Sequence, residues 1–256
     1  MNTPTFTAPK FGVSPFRQKF GVSPSSREAV RRAAAPLLRL ERVEARQEFV
    51  PVDDVRVELR AVDARVLAHE KVMARMSAPS GQTPPRPFEA WPTETFFADD
   101  KEIFFNDEAI QVLYQPGHTD GDVLVFFRRS DVVASGDLFQ TTTYPVIDAA
   151  RGGSVQGIIN GLNRLLDITI PKDKAEGGTY VVPGHGRLSD EADVVEYRDM
   201  LTIVRDRIQD LIAKGKSLAE VKVAGPTRDY DGRYGATTGA WTTEQFIEAI
   251  YRELSR

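Results

Sequence analysis

The sequence predicts an α+β protein, on three observations. Short β-type runs crowd the middle of the 256-residue chain, and amphipathic helical patterns fill its C-terminal part. No apolar run approaches the ~20 residues that span a bilayer. A block of strands followed by a block of helices, without strict alternation, favours α+β over α/β.

Residues 1–55 read as a flexible or atypical N-terminal arm, and residues 56–256 as the folded domain. KFGVSP occurs twice, at residues 10–15 and 19–24, a repeat of the kind that makes linkers. Residues 26–48 place Val30, Ala34, Leu37, Leu38 and Val43 at short helical spacing. From Lys10 to Arg65 twelve basic residues face eight acidic ones, a mild excess. Residues 64–68 form an apolar strand pattern, and residues 70–76 a helix that stops before the Pro/Ser/Gly-rich loop 78–92. Residues 102–105 and 109–114 read as a hairpin turning at Asn106-Asp107-Glu108. Residues 122–127 and 132–135 form a second pair about the polar turn 128–131. Val155, Ile158, Ile159, Leu162, Leu165 and Leu166 recur at i, i+3, i+4 and i+7, so residues 154–167 form a helix with Ser154 as N-cap. A strand at 179–182 follows, then helices over 190–214, from Ser217 with Glu220 placed for a capping box, and over 243–254. Residues 226–239 read as a loop. Phe96-Phe97 and Phe104-Phe105 are expected in the core. Tyr144 and Tyr234 are candidates to face a cleft.

With 33 basic and 37 acidic side chains the net charge is −4, which disfavours nucleic-acid binding because neutralising phosphates takes a basic face. The chain has no cysteine, so disulfides, iron–sulfur clusters and thiol nucleophiles are excluded, and any metal site must use His and carboxylates. The N-terminus shows no secretory pattern, giving a cytoplasmic expectation without membrane partners. No phosphate-binding glycine motif occurs.

Two of the three histidines share one context, a glycine-flanked turn after a strand: Gly117-His118-Thr119-Asp120-Gly121-Asp122 and Pro183-Gly184-His185-Gly186. Gly136-Asp137 ends a strand in the same way. One such histidine would more often be a turn residue bonded to backbone. Three strand-end turns offering imidazole and carboxylate together suit a divalent metal, because zinc takes neutral His nitrogen and Asp oxygen. Thr119, Asp120 and Ser135 are candidates either to orient His118 or to form turns of their own.

QPGHTDGD (115–122), ASGDLF (134–139), YPVID (144–148) and VVPGHG (181–186), in this order and spacing, resemble the later motifs of the metallo-β-lactamase-fold hydrolases. The resemblance covers roughly residues 57–256. It implies a four-layer αβ/βα sandwich, with His118 on a first zinc, Asp137 bridging two zincs and His185 on the second. His69 matches no ligand position and reads as structural. The family's first motif, H-x-H-x-D-H, counts back to residues 47–52, which here are Gln-Glu-Phe-Val-Pro-Val, with Glu48, Asp53 and Asp54 as nearby carboxylates. The N-terminal portion of the fold is therefore expected to be incomplete or replaced.

The implied activity is zinc-dependent hydrolysis of an ester, thioester or amide/lactam bond of a small-molecule substrate, through metal-bound hydroxide. His118 and Asp137 would be catalytic, and the missing motif would impair the site. One zinc, two or none are open expectations. The alternative is a non-catalytic relative that keeps the cleft for binding.

Overall fold

The structure, a computed structural model, describes residues 65–79, 84–174 and 177–256. All lie in the second of the two units into which the chain divides, Val52–Arg256. The arm, the helical pattern over 26–48, and Glu48, Asp53 and Asp54 lie outside the described residues.

Strand β1 (Leu67–His69) leads directly into helix α1 (Glu70–Ser77) and pairs in parallel with β2 (Glu94–Phe96). His69 sits at the junction, where Nδ1 accepts from the Lys71 amide at 3.4 Å and caps the helix. Its ring is buried, stacked on Tyr114 at 3.9 Å and edge-on to Phe96 at 5.2 Å. Burial lowers the pKa of this imidazole, since desolvation penalises the cation. His69 is thus a packing and capping residue.

The second sheet has five strands: β3 (Asp100–Phe105), β4 (Glu108–Tyr114), β5 (Val123–Phe127), β6 (Val132–Gln140) and β7 (Tyr180–His185). Their spatial order is their chain order, antiparallel except for β6–β7, which is parallel. Asn106 and Asp107 both take positive φ, 52° and 60°, the backbone of the two-residue turns that follow strand twist. The parallel β6–β7 pair requires a crossover, and helix α2 (Val155–Ile168) lies within it. The Ser154 hydroxyl accepts from the Gly157 amide at 2.9 Å, as its N-cap position predicts.

Helix α2 turns Val155, Ile158, Leu162 and Leu165 onto Leu113, Leu124, Val133 and Val181 of the sheet, all buried in one core. Helices α3 (Glu191–Ala213) and α6 (Thr243–Leu254) extend that core with Met200, Leu201, Val204, Phe246 and Ile250. The short helices α4 (Leu218–Ala224) and α5 (Asp231–Tyr234) complete the helical layer. The class is α+β, as expected. Among the described residues, no helix is long and apolar enough to cross a membrane.

Several local expectations need correction. Phe96 is buried, but Phe97, Phe104 and Phe105 are 82%, 74% and 73% exposed. The last two lie on β3, which has a strand on one side alone among the described residues. Tyr144 and Tyr234 are core residues: Tyr144 stacks on Phe246 at 4.5 Å, and its hydroxyl donates to Asp231 Oδ1 at 2.9 Å. Loop 226–239 contains α5, and loop 78–92 contains a 3-10 turn at Phe88–Ala90. Strand β6 runs through Gly136-Asp137 to Gln140, and β7 through Pro183-Gly184 to His185, where turns were expected.

Candidate metal centre

The three strand-end residues converge. His118 lies on the β4–β5 loop, Asp137 on β6 and His185 at the end of β7. His118 Nε2 is 3.7 Å from Asp137 Oδ2, and His185 Nε2 is 3.4 Å from Asp137 Oδ1.

Each position has a local cause. The β6–β7 register shifts between Ala134 and Gly136 and again between Gly136 and Gln140, an irregularity that re-aims the Asp137 side chain. Gly184 on β7 lets that carboxylate lie against the neighbouring strand, since a Cβ there would fall 2.2 Å from Asp137 Oδ1. The His118 loop is tied from both sides: the Asp148 amide donates to the His118 carbonyl at 3.1 Å, and Ser154 N to Gly117 O at 2.8 Å. Gly153 permits this approach, because a Cβ there would lie 2.1 Å from the His118 carbonyl oxygen. The Thr141 amide donates to His185 O at 3.1 Å.

The orientation of His118 is set by a backbone carbonyl. Its Nδ1 is 2.8 Å from Val146 O. A carbonyl can accept but not donate, so Nδ1 carries the proton and Nε2 presents its lone pair toward Asp137. Thr119, Asp120 and Ser135 bond elsewhere. Thr119 donates from N and Oγ1 to Asp122 at 2.8 and 2.7 Å, Asp120 pairs with Arg75, and the Ser135 hydroxyl reaches Val182 O at 3.2 Å. These contacts build the turn and strand rather than holding the imidazole ring.

A cavity of about 280 Å3 opens beside Asp137 and His185, lined also by Gln140, Thr142, Thr143 and Val146. The side chains of His118, Asp137 and His185 are 21%, 40% and 67% exposed, so a ligand from solvent reaches them. Below the cavity, Gln140 Nε2 donates to Tyr144 O at 3.0 Å and the Tyr197 hydroxyl to Thr143 O at 3.1 Å, anchoring the lining loop to the core. Gln140, Thr142, Thr143 and the Val146 carbonyl escaped the sequence reading.

The donor chemistry can be tested against a metal. Two ligands about 2.0–2.1 Å from one tetrahedral ion stand about 3.4 Å apart. The two observed spacings are close to that value. However, the imidazoles approach different oxygens of one carboxylate. Among the described residues no group of three or more His, Asp or Glu side chains is arranged to hold an ion. The described residues therefore fit a metal as a partial donor set, a shared carboxylate with one imidazole on either side.

Comparison with known proteins supports the fold. A metallo-β-lactamase from Pontibacter korlensis superposes with a TM-score of 0.43 at 18% identity, covering 57% of this chain and 61% of that one. The sec-alkylsulfatase PisA1, described elsewhere as from Pseudomonas sp., gives 0.51 at 12% identity, covering 77% of this chain and 37% of its own. TTHA1623 in a di-iron-bound form gives 0.41 at 23% identity, with 57% and 69% covered. Thus the chain spans less than two thirds of the first two proteins, and at these identities the likeness is one of fold. No curated protein matches. The family model for the metallo-beta-lactamase superfamily matches residues 47–203, which include His118, Asp137 and His185. With more than half of its length accounted for in this way, the chain belongs to the metallo-β-lactamase superfamily.

Proposed function

We propose that this chain is a metal-dependent hydrolase of an ester, thioester or amide/lactam bond, with His118, Asp137 and His185 as its described metal donors and zinc as the ion. One observation carries the reading: two imidazoles from separate loops approach the two oxygens of one carboxylate, beside a solvent-open cavity. A bound divalent ion supplies Lewis-acid polarisation of a carbonyl and acidifies a water.

The chain's own residues do the rest. The Val146 carbonyl holds the Nδ1 proton of His118 and so keeps Nε2 as the donor. Asp137 supplies negative charge between the two imidazoles. Thr142, Thr143 and Gln140 line the cavity where the scissile group would sit, and hydroxyl and amide groups there can bond to a polarised carbonyl. A small-molecule substrate suits this volume.

A second reading is favoured by the incomplete donor set: a non-catalytic relative that uses the same cleft for binding. Metal analysis of purified chain separates the two. The hydrolase reading expects about one equivalent of zinc, lost in His118→Ala and Asp137→Ala, together with turnover in a panel of ester, thioester and lactam substrates. Less than ~0.3 equivalents, unchanged by His118→Ala, overturns it, because a working site holds its metal tightly.

A further inference from the structure

A second, larger cavity of about 630 Å3 lies along α1 and the turn that follows His118. Its charged lining comprises Lys71, Arg75, Arg86, Arg151 and Asp120. Four cations thus face one carboxylate, in a chain whose net charge is −4.

The charge is not fully neutralised locally. Asp120 pairs with Arg75, and Arg151 Nη1 lies 3.2 Å from Asp148 Oδ2 with its side chain 61% exposed. Asp122 is engaged by the amide and hydroxyl of Thr119. The Lys71 ammonium donates to the Tyr114 hydroxyl at 2.8 Å, a neutral oxygen that leaves its charge in place. Even with Asp148 and Asp122 counted behind the wall, four cations exceed three carboxylates. Burial, and then repulsion from Arg151, push the pKa of Arg75 down, so the two guanidiniums feel one another across this space. An anion entering between them relieves that repulsion. Guanidinium forks match the paired oxygens of a tetrahedral or planar oxyanion.

We propose that this cavity binds a small molecule through an oxyanion group, a phosphate, sulfate or carboxylate seated among Lys71, Arg75 and Arg151. The volume is that of a small-ligand pocket. Nucleic acid is disfavoured, since the cations are gathered in one cavity and not spread along a face. Thr119 and Asp120 line the cavity and directly follow His118 in the chain, so its occupant would adjoin the candidate metal centre.

The test is calorimetric titration of the full chain with sodium phosphate, sodium sulfate and sodium acetate. Ionic strength is held constant, and metal is first removed by chelation so that phosphate on an ion cannot mimic the site. Failure here is thereby separate from failure of the metal reading. Saturable one-site binding with Kd on the order of 1 mM is expected for at least one of the three anions, and their ranking identifies the group. Lys71→Ala with Arg151→Ala should weaken it by about tenfold or more, through loss of two charge-assisted contacts. Arg128→Ala with Arg129→Ala, an equal charge change at a distant turn, should leave it within about twofold. Should the first pair melt earlier than the parent chain, Lys71→Gln with Arg151→Gln replaces it. Absence of saturable binding to all three anions, or equal weakening by the two pairs, overturns the proposal.

Discussion

At the scale of single residues, Gly184 decides whether Asp137 can face both imidazoles. An added methyl carbon there would lie 2.2 Å from Asp137 Oδ1 and 2.7 Å from the Gly136 carbonyl carbon, closer than non-bonded atoms approach. In Gly184→Ala the carboxylate must therefore swing away, or β6 and β7 must part. Overpacking of this kind costs about 1–3 kcal/mol. The expected result is a lower urea midpoint and a zinc content that falls further than that loss of stability explains. Zinc retained at the parental level would show that Asp137 does not need this close approach. His118, Asp137 and His185 were legible because each is a ligand-type side chain beside a glycine at a strand end. The group that orients His118 was not, because every residue has a carbonyl and nothing in the identity of Val146 marks its oxygen for that use. Nor does the identity of Thr119 say which way its hydroxyl turns; Asp122, three residues on, captures it.

At the scale of elements, helix α4 shows how far a cap can be read and what it does. Ser217 and Glu220 form the reciprocal capping box that their spacing predicts, with the Ser217 amide donating to Glu220 Oε2 at 2.9 Å. That amide, followed by Lys216, lowers the Glu220 pKa from 4.5 to about 2. A carboxyl with a depressed folded-state pKa stabilises the fold above its unfolded value, and this contribution is lost as pH falls from about 4.5 to 2. Parent chain should therefore lose thermal stability over that window more steeply than Glu220→Gln, whose side chain does not titrate. Melting curves at stepped pH check this, and parallel acid limbs for the two proteins would contradict it. The helices were the readily legible part of the fold, since caps such as Ser154, Ser217 and Thr242 announce their starts and apolar periodicity their buried faces. Strand ends were less so. Gly136, Pro183 and Gly184 carry turn propensity, yet the parallel β6–β7 pairing continues past them, and tertiary context overrides local preference. Phe104 and Phe105 misled for a related reason: hydrophobicity says that a side chain prefers burial, not that a strand with one described neighbour provides it.

At the scale of the whole molecule, the candidate metal centre and the core are separate sources of stability. The donors stand on the β4–β5 loop, an irregular stretch of β6 and the end of β7, whereas the core packs the middle of the sheet against α2, α3 and α6 through Leu124, Val133, Leu162, Leu201 and Phe246. The described domain therefore has a hydrophobic core that needs no ion, unlike small metallo-domains that unfold without one. A metal bound to the native state alone adds about 2.7 kcal/mol when present at a hundred times its Kd. For a chain of this length that corresponds to a shift in Tm on the order of 5–10 °C. Chelation should lower the Tm by that amount while leaving the far-ultraviolet circular dichroism and a single cooperative transition in place, and added zinc should restore it. His118→Ala should melt at the chelated temperature and ignore zinc. If chelation abolished the folded signal, the ion would be structural. If parent and His118→Ala melted alike under both conditions, the partial donor set would hold no ion and the non-catalytic reading would stand.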